Sequence, residues 1–211
     1  MKKKVFQVTP DHALCIDWET SGAVFGGDSS KVFQGIAFGA VVFNTKTFEV
    51  IETLYRMVKF DETKYQWSEE AEKIHGLSRE HLAEHGVSQE DAAMDLIELI
   101  LKYWGPTNKV MFLGHNPEFD RRFTNQMTMS QNVEFCVEAV EENVEARIQL
   151  HHVMLDTSAT GFITMGLFKS DLLFDAVGLE ERGEHNALDD ALYTVETCKR
   201  IRLLVDTALG G

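Results

Sequence analysis

The chain is poor in proline and cysteine and has no long apolar run. Three prolines, with no Pro-, Ser- or Gly-rich stretch between apolar segments, leave no linker, and no internal repeat of fixed period is present. A single domain over residues 1–211 is expected. No segment approaches the ~18 consecutive apolar residues of a membrane span. Met1-Lys2-Lys3-Lys4 runs into Val5-Phe6-Gln7 rather than a signal-peptide core, so a soluble, unexported, cytoplasmic protein is expected. Cys15, Cys136 and Cys198 are odd in number, far apart and without CxxC spacing. They read as buried thiols in a reducing compartment, not as a disulfide or zinc framework. Basic charge is short as well: 20 Lys and Arg against 34 Asp and Glu give −14. Such a molecule repels polyanions unless metal ions or a local basic patch intervene, which excludes a non-specific duplex coater.

What is present reads as strands first and then alternating strands and helices, the pattern of a mixed α/β sheet flanked by helices. Ala13 to Glu19, Val32 to Phe43 and Phe48 to Val58 carry the β-branched and aromatic content of strands. Glycines from Gly22 to Gly27 and the Asn44-Thr45-Lys46 turn join them, which predicts an antiparallel meander. Ser88 with Asp91 three residues on starts a helix along Ala93, Leu96, Ile97, Ile100 and Trp104 that Gly105-Pro106 stops. Val110 to Leu113 is a strand buried on both faces, and Asn116-Pro117 opens the next helix. The Glu-rich segment from Gln131 to Gln149 has only a weak helical stripe of Phe135, Val140, Val144 and Ile148, so an irregular or helical excursion is expected. Val153 to Leu155 is a short strand, followed by helices through Phe162, from Leu172 to Val177, and from about Asn186 along Leu188, Ala191, Leu192, Val195 and Cys198.

Acids fall at the ends of these elements. Asp17 and Glu19 stand two apart on a strand and share a face, where two solvated rim acids are the plain alternative. Asp120 falls in the first turn of a helix beyond a strand's C-terminal end, the edge at which open sheets bind ligands. His185 precedes a helix whose first turn holds Asp189 and Asp190. Helix electrostatics accounts for first-turn acids separately but not for a strand pair. If these carboxylates converge, their mutual repulsion calls for divalent cations, and an all-oxygen set suits Mg²⁺ or Mn²⁺ better than zinc. Two such ions about 3.5–4 Å apart serve phosphodiester cleavage.

Asp17-Trp18-Glu19-Thr20, Asn116-Pro117-Glu118-Phe119-Asp120, and His185 with Asp190 five residues on resemble, in order and spacing, the three motifs of the DEDDh 3′→5′ exonucleases, the relatives of RNase T and of the proofreading subunit of bacterial DNA polymerase III. The likeness extends to Ile74-His75-Gly76-Leu77, Leu155-Asp156-Thr157 and His185-Asn186-Ala187-Leu188. It implies an RNase H-like fold, a mixed five-stranded sheet with its first three strands antiparallel. It also implies two Mg²⁺ ions, replaceable by Mn²⁺, on Asp17, Glu19, Asp120 and Asp190, with His185 as general base. The implied reaction removes nucleotides from single-stranded 3′ ends of DNA or RNA as 5′-monophosphates. Thr20, Ser21, Gly22, His75 and Asn116 stand where the family's chains approach the terminal nucleotide. A polymerase or other replication or repair protein is the candidate partner, and the chain's end soon after the last helix argues against a fused module.

Helical spacing alone would pair His185 with Asp189, whereas the family pattern selects Asp190, which fits if His185 lies in the loop before the helix. Trp18 and Phe119 read as core, Arg121-Arg122 and Lys2 to Lys4 as basic runs that could meet phosphates or stay solvated, and His151-His152 as strand neighbours facing opposite ways. The turn from Gly22 to Ser30 and the acidic stretch from Glu134 to Glu145 depart from the family pattern. An oligoribonuclease-like enzyme on short RNA, or a non-catalytic interaction module on the same fold, are the competing readings. At −14, affinity should come from metals and a few contacts at the terminus, with a shallow salt dependence.

Overall fold

The structure, a computed structural model, describes residues 10–25, 27–180 and 185–210. Strands β1 (His12–Thr20), β2 (Gly35–Asn44) and β3 (Val50–Met57) form the expected antiparallel meander. Asn44 closes its second turn, its Oδ1 accepting from the N–H groups of Lys46 and Thr47. Two short helices follow, α1 (Glu69–His75) and α2 (Arg79–His85), then the long α3 (Gln89–Trp104). Each has a serine N-cap, Ser68, Ser78 and Ser88, whose hydroxyl accepts an N–H of the first turn. The seven-residue α1 and α2 are absent from the sequence reading because neither is long enough to display an apolar stripe.

Strand β4 (Phe112–Gly114), helix α4 (Pro117–Thr128), strands β5 (Val133–Cys136), β6 (Ala146–Gln149) and β7 (Leu155–Asp156), and helices α5 (Thr157–Met165), α6 (Ser170–Ala176) and α7 (Ala187–Ala208) complete the chain. The main sheet runs β3-β2-β1-β4-β7, with β4 parallel to both β1 and β7. This is the five-stranded mixed sheet expected.

The alternation of β1 divides two cores. Leu14, Ile16 and Trp18 face α3 and α4 in the larger one, with Phe38, Leu96, Phe112 and Phe123. Ala13 and Cys15 face α7 in the smaller, with Val41, Leu113, Ala191 and Val195. By the same period Asp17 and Glu19 point to the α7 side. Trp18 is core, as expected, and its Nε1–H donates to Thr124 Oγ1 at 2.9 Å, tying β1 to α4.

The segment from Gln131 to Gln149 is not the expected irregular or helical excursion but a separate two-stranded parallel sheet, β5 with β6, in which Phe135 pairs with Ile148. Glu134 organises it. Its buried carboxylate accepts from the N–H groups of Val140 and Glu141 and from Arg147 Nε at 2.8 Å. The partners lie within the intervening loop and on the strand beyond it, a cause that no periodicity carries. The rings of His151 and His152 are 4.3 Å apart in a loop between β6 and β7, so they are not strand neighbours facing opposite ways. Among the described residues no helix is long and apolar enough to cross a membrane.

Candidate active site

The C-terminal edge of β1 and β4 is where α4 begins on one face of the sheet and α7 on the other. Three of the predicted site residues meet there: Glu19, His185 and Asp190 offer ligand atoms that all lie within 4.8 Å of one another. His185 lies in the loop before α7, so its Nδ1 reaches Asp190 Oδ2 at 3.2 Å, which Asp189, exposed on the next position, does not match. Asn186 caps the helix by accepting from Leu188 and Asp189 N–H groups, and this fixes the first turn that carries Asp190. An ionised carboxylate only accepts, so Nδ1 carries a proton, and in the neutral ring the lone pair is then on Nε2.

Asp120 enters from the other face. It is 3% exposed, in the first turn of α4, and its carboxylate accepts from the backbone N–H of Trp18, between Asp17 and Glu19. Burial pushes its pKa well above the usual carboxylate range, against those backbone hydrogen bonds, and Glu19 raises it further. Asp17 is partly buried on the same face of β1 as Glu19. Glu19 at 8% and Asp190 at 6% exposure complete a set of carboxylates largely removed from water.

A pocket of about 520 Å³ opens beside them, lined by Glu19, Tyr55, His75, Gly76, Leu77, Ser78, His81, His185 and Asn186. Among the described residues its lining holds no lysine or arginine, and a divalent cation is a compensating charge this donor set fits: carboxylate oxygens with an imidazole alongside. His75 is buried and accepts the Leu77 N–H on Nδ1, and its burial is the chief cause that lowers its pKa. Tyr55 and His81 belong to no motif. The one trace of Tyr55 in the sequence is its place on the third strand, opposite Gly39, which itself pairs with Asp17.

The other expected substrate positions are distributed unevenly. Thr20 Oγ1 donates to the Gly22 carbonyl, and Gly22 takes a φ of 155°, where a Cβ would lie 2.4 Å from the Phe33 ring. Ser21 is fully buried, its hydroxyl donating to the Gln66 carbonyl and accepting from Gln34 N–H, so it fastens the approach to α1 onto β1. Asn116 has left-handed backbone, which turns its side chain away from capping α4, and its N–H donates to Asp156 Oδ1. It lines a second pocket of about 290 Å³ with Phe119, Arg122, Ala23, Val24 and the residues from Gly27 to Ser30. Phe119 is half-buried and packs on the main core while lining that pocket. Arg121 and Arg122 are both engaged by Glu118, and Lys2 to Lys4 lie outside the described residues.

A family model described as RNase_T, exonuclease, matches residues 14–198. No curated protein matches the chain. Among solved structures, one described as a 3′-exonuclease with 3′-end-specific recognition of the histone mRNA stem-loop is similar at a TM-score of 0.67 and 18% identity, over 95% of this chain and 84% of that one. The nuclease domain of 3′hExo, described as a DEDDh family member bound to rAMP, gives 0.65 and 17% over 93% and 92%. A zinc-bound E. coli exonuclease I–ssDNA complex gives 0.68 and 20%, over 93% of this chain but 41% of that one. The fold is thus the RNase H-like fold of these exonucleases, and the chain belongs to the RNase T exonuclease family of nucleic-acid hydrolases.

Proposed function

We propose that the chain, read as a single exonuclease domain over residues 1–211, is a divalent-metal-dependent 3′→5′ exonuclease that removes 5′-monophosphates from single-stranded 3′ ends. The observation that carries the reading is the meeting of Glu19, His185 and Asp190 within 4.8 Å, drawn from the first strand and the last helix. Asp17, Glu19, Asp120 and Asp190 would hold two ions, Mg²⁺ or Mn²⁺. Such ions supply Lewis acidity that favours hydroxide near neutral pH and stabilises a departing oxygen.

The protein's own groups do the rest. His185, oriented by Asp190 through Nδ1, presents Nε2 to accept the proton of the attacking water. A histidine suits this because its ordinary pKa of ~6.5 lets it take up and release a proton near neutrality. Buried Asp120, fixed by the Trp18 N–H, presents a carboxylate whose ionisation the cations favour. The pocket beyond Glu19, walled by His75, Leu77 and Ser78, receives the terminal nucleotide; Thr20 and Gly22 follow Glu19 along the chain, and Asn116 meets the substrate from the second pocket. Ser21, between Thr20 and Gly22, shapes that stretch from within.

Digestion of 5′-labelled single-stranded DNA and RNA with Mg²⁺, Mn²⁺ or chelator, beside a 3′-blocked control, tests the reading. The expected result is a ladder shrinking from the 3′ end, lost with chelator and lost in Asp120→Ala. Cleavage that persists with chelator, or that starts from a blocked 3′ end, contradicts it. Activity confined to oligomers of a few ribonucleotides would select the oligoribonuclease-like reading.

A further inference from the structure

Gly39 sits at the centre of β2, the middle strand of the meander, paired with Asp17 on one side and Tyr55 on the other. Its missing side chain is on the face where α7 crosses the sheet. A Cβ at this position would lie 2.2 Å from Leu188 Cα, 2.4 Å from Leu188 N and 2.4 Å from the Ala187 carbonyl oxygen. All three are backbone atoms, so no rotamer change relieves the contact. The strand conformation itself asks nothing of this residue, because Gly39 has no positive φ. The close approach alone requires glycine here.

The turn resting on Gly39 is the turn of the site. His185 and Asn186 immediately precede it, and Asp190 lies two residues beyond Leu188. We infer that Gly39 is a positioning residue: it lets the first turn of α7 lie directly on the sheet, which brings Asp190 and His185 into register with Glu19. This rests on the proposed roles of Asp190 and His185. To reach ordinary van der Waals contact, at 3.4 Å and beyond, an added methyl would lift the turn by roughly 1 Å. Catalytic groups displaced by about 1 Å lose on the order of 100-fold in rate. Most of the loss belongs in kcat and metal binding, because His75, Leu77 and Ser78, which wall the nucleotide pocket, come from α1 and the α1–α2 connection, and only His185 and Asn186 of its lining ride with the displaced turn.

Gly39→Ala, Leu188→Ala and wild type are compared in kcat, KM and Mn²⁺ affinity, the last by calorimetry without substrate. Leu188→Ala destabilises the same helix, since this side chain packs on the smaller core, but it pushes nothing off the sheet. Gly39→Ala is expected to lower kcat 10- to 100-fold and Mn²⁺ affinity at least tenfold, with KM within threefold of wild type. Leu188→Ala is expected to lower only the melting temperature. Should Gly39→Ala fail to fold, Asn186→Ala removes the cap of the same turn and is expected to give the same kcat and Mn²⁺ losses. Wild-type kcat and Mn²⁺ affinity in folded Gly39→Ala, or in Asn186→Ala if the former does not fold, overturn the inference. So do equal kcat losses in Gly39→Ala and Leu188→Ala. A wild-type protein without metal-dependent cleavage would instead overturn the function on which the inference rests.

Discussion

At the scale of single residues, Asp120 shows how the site trades stability for chemistry. Burial favours its neutral form in the folded, metal-free chain. Its folded pKa is raised, so folding is most favoured below the ordinary carboxylate value of 3.8 and loses this contribution as pH rises above it. Asp120→Asn should therefore raise the melting temperature of the metal-free protein at pH 7, by about 2–4 °C for each kcal/mol relieved, while abolishing cleavage. A lower melting temperature in calorimetry would show that the carboxylate is already compensated. His185 should behave differently. Its removal in His185→Ala should lower kcat about 10²- to 10⁴-fold, the usual worth of a general base, with Mn²⁺ affinity within a few-fold of wild type. A collapse of metal affinity would make it a ligand instead.

At the scale of elements, legibility followed the range of the interactions involved. The meander and α3 were readable because β-branched and aromatic content, the 3.6-residue period, Asn44 and Ser88 are local signals. The β5–β6 sheet was not, because its cause is Glu134 reaching Val140, Glu141 and Arg147 across a loop. The stripe of Val140 with Phe135 was coincidence: Phe135 is buried and Val140 is exposed. The hydrogen bonds to Glu134 outweigh its burial and hold its carboxyl below the ordinary 4.5. A depressed pKa contributes stability above the unfolded value, and that contribution is lost as pH falls from about 4.5 through the folded value. Glu134→Gln should cost about 1.5–3 kcal/mol at pH 7, as hydrogen bonds to a charged group do, and the cost should shrink in acid. Chemical denaturation at pH 7 and pH 3.5 measures both; an equal cost at the two values would refute a charge-based role.

At the scale of the molecule, the site is made by topology. Glu19 of β1 meets His185 and Asp190, which the loop before α7 and its first turn bring from one face, while α4 carries Asp120 in from the other; the proposal adds Asp17 from β1. The sequence displayed these residues only as three separate clusters, and their order matched a family pattern before any contact was known. Helical spacing alone did not choose between Asp189 and Asp190, and the family pattern did; two things were beyond the sequence, the internal role of Ser21 and the presence of Tyr55 and His81 in the pocket. Each depends on how elements distant in sequence are packed together, and neighbours in sequence carry no record of that. The net charge of −14 makes the same point physically, since a molecule so acidic holds a polyanion only where cations are concentrated. The central claim is therefore that carboxylates from both faces of the sheet cage divalent ions together. Calorimetric titration of Mn²⁺ with a nucleoside 5′-monophosphate present tests it most directly. Two ions per chain in wild type, and fewer in each of Asp17→Asn, Asp120→Asn and Asp190→Asn, are predicted; no specific binding, or binding untouched by all three substitutions, would contradict it.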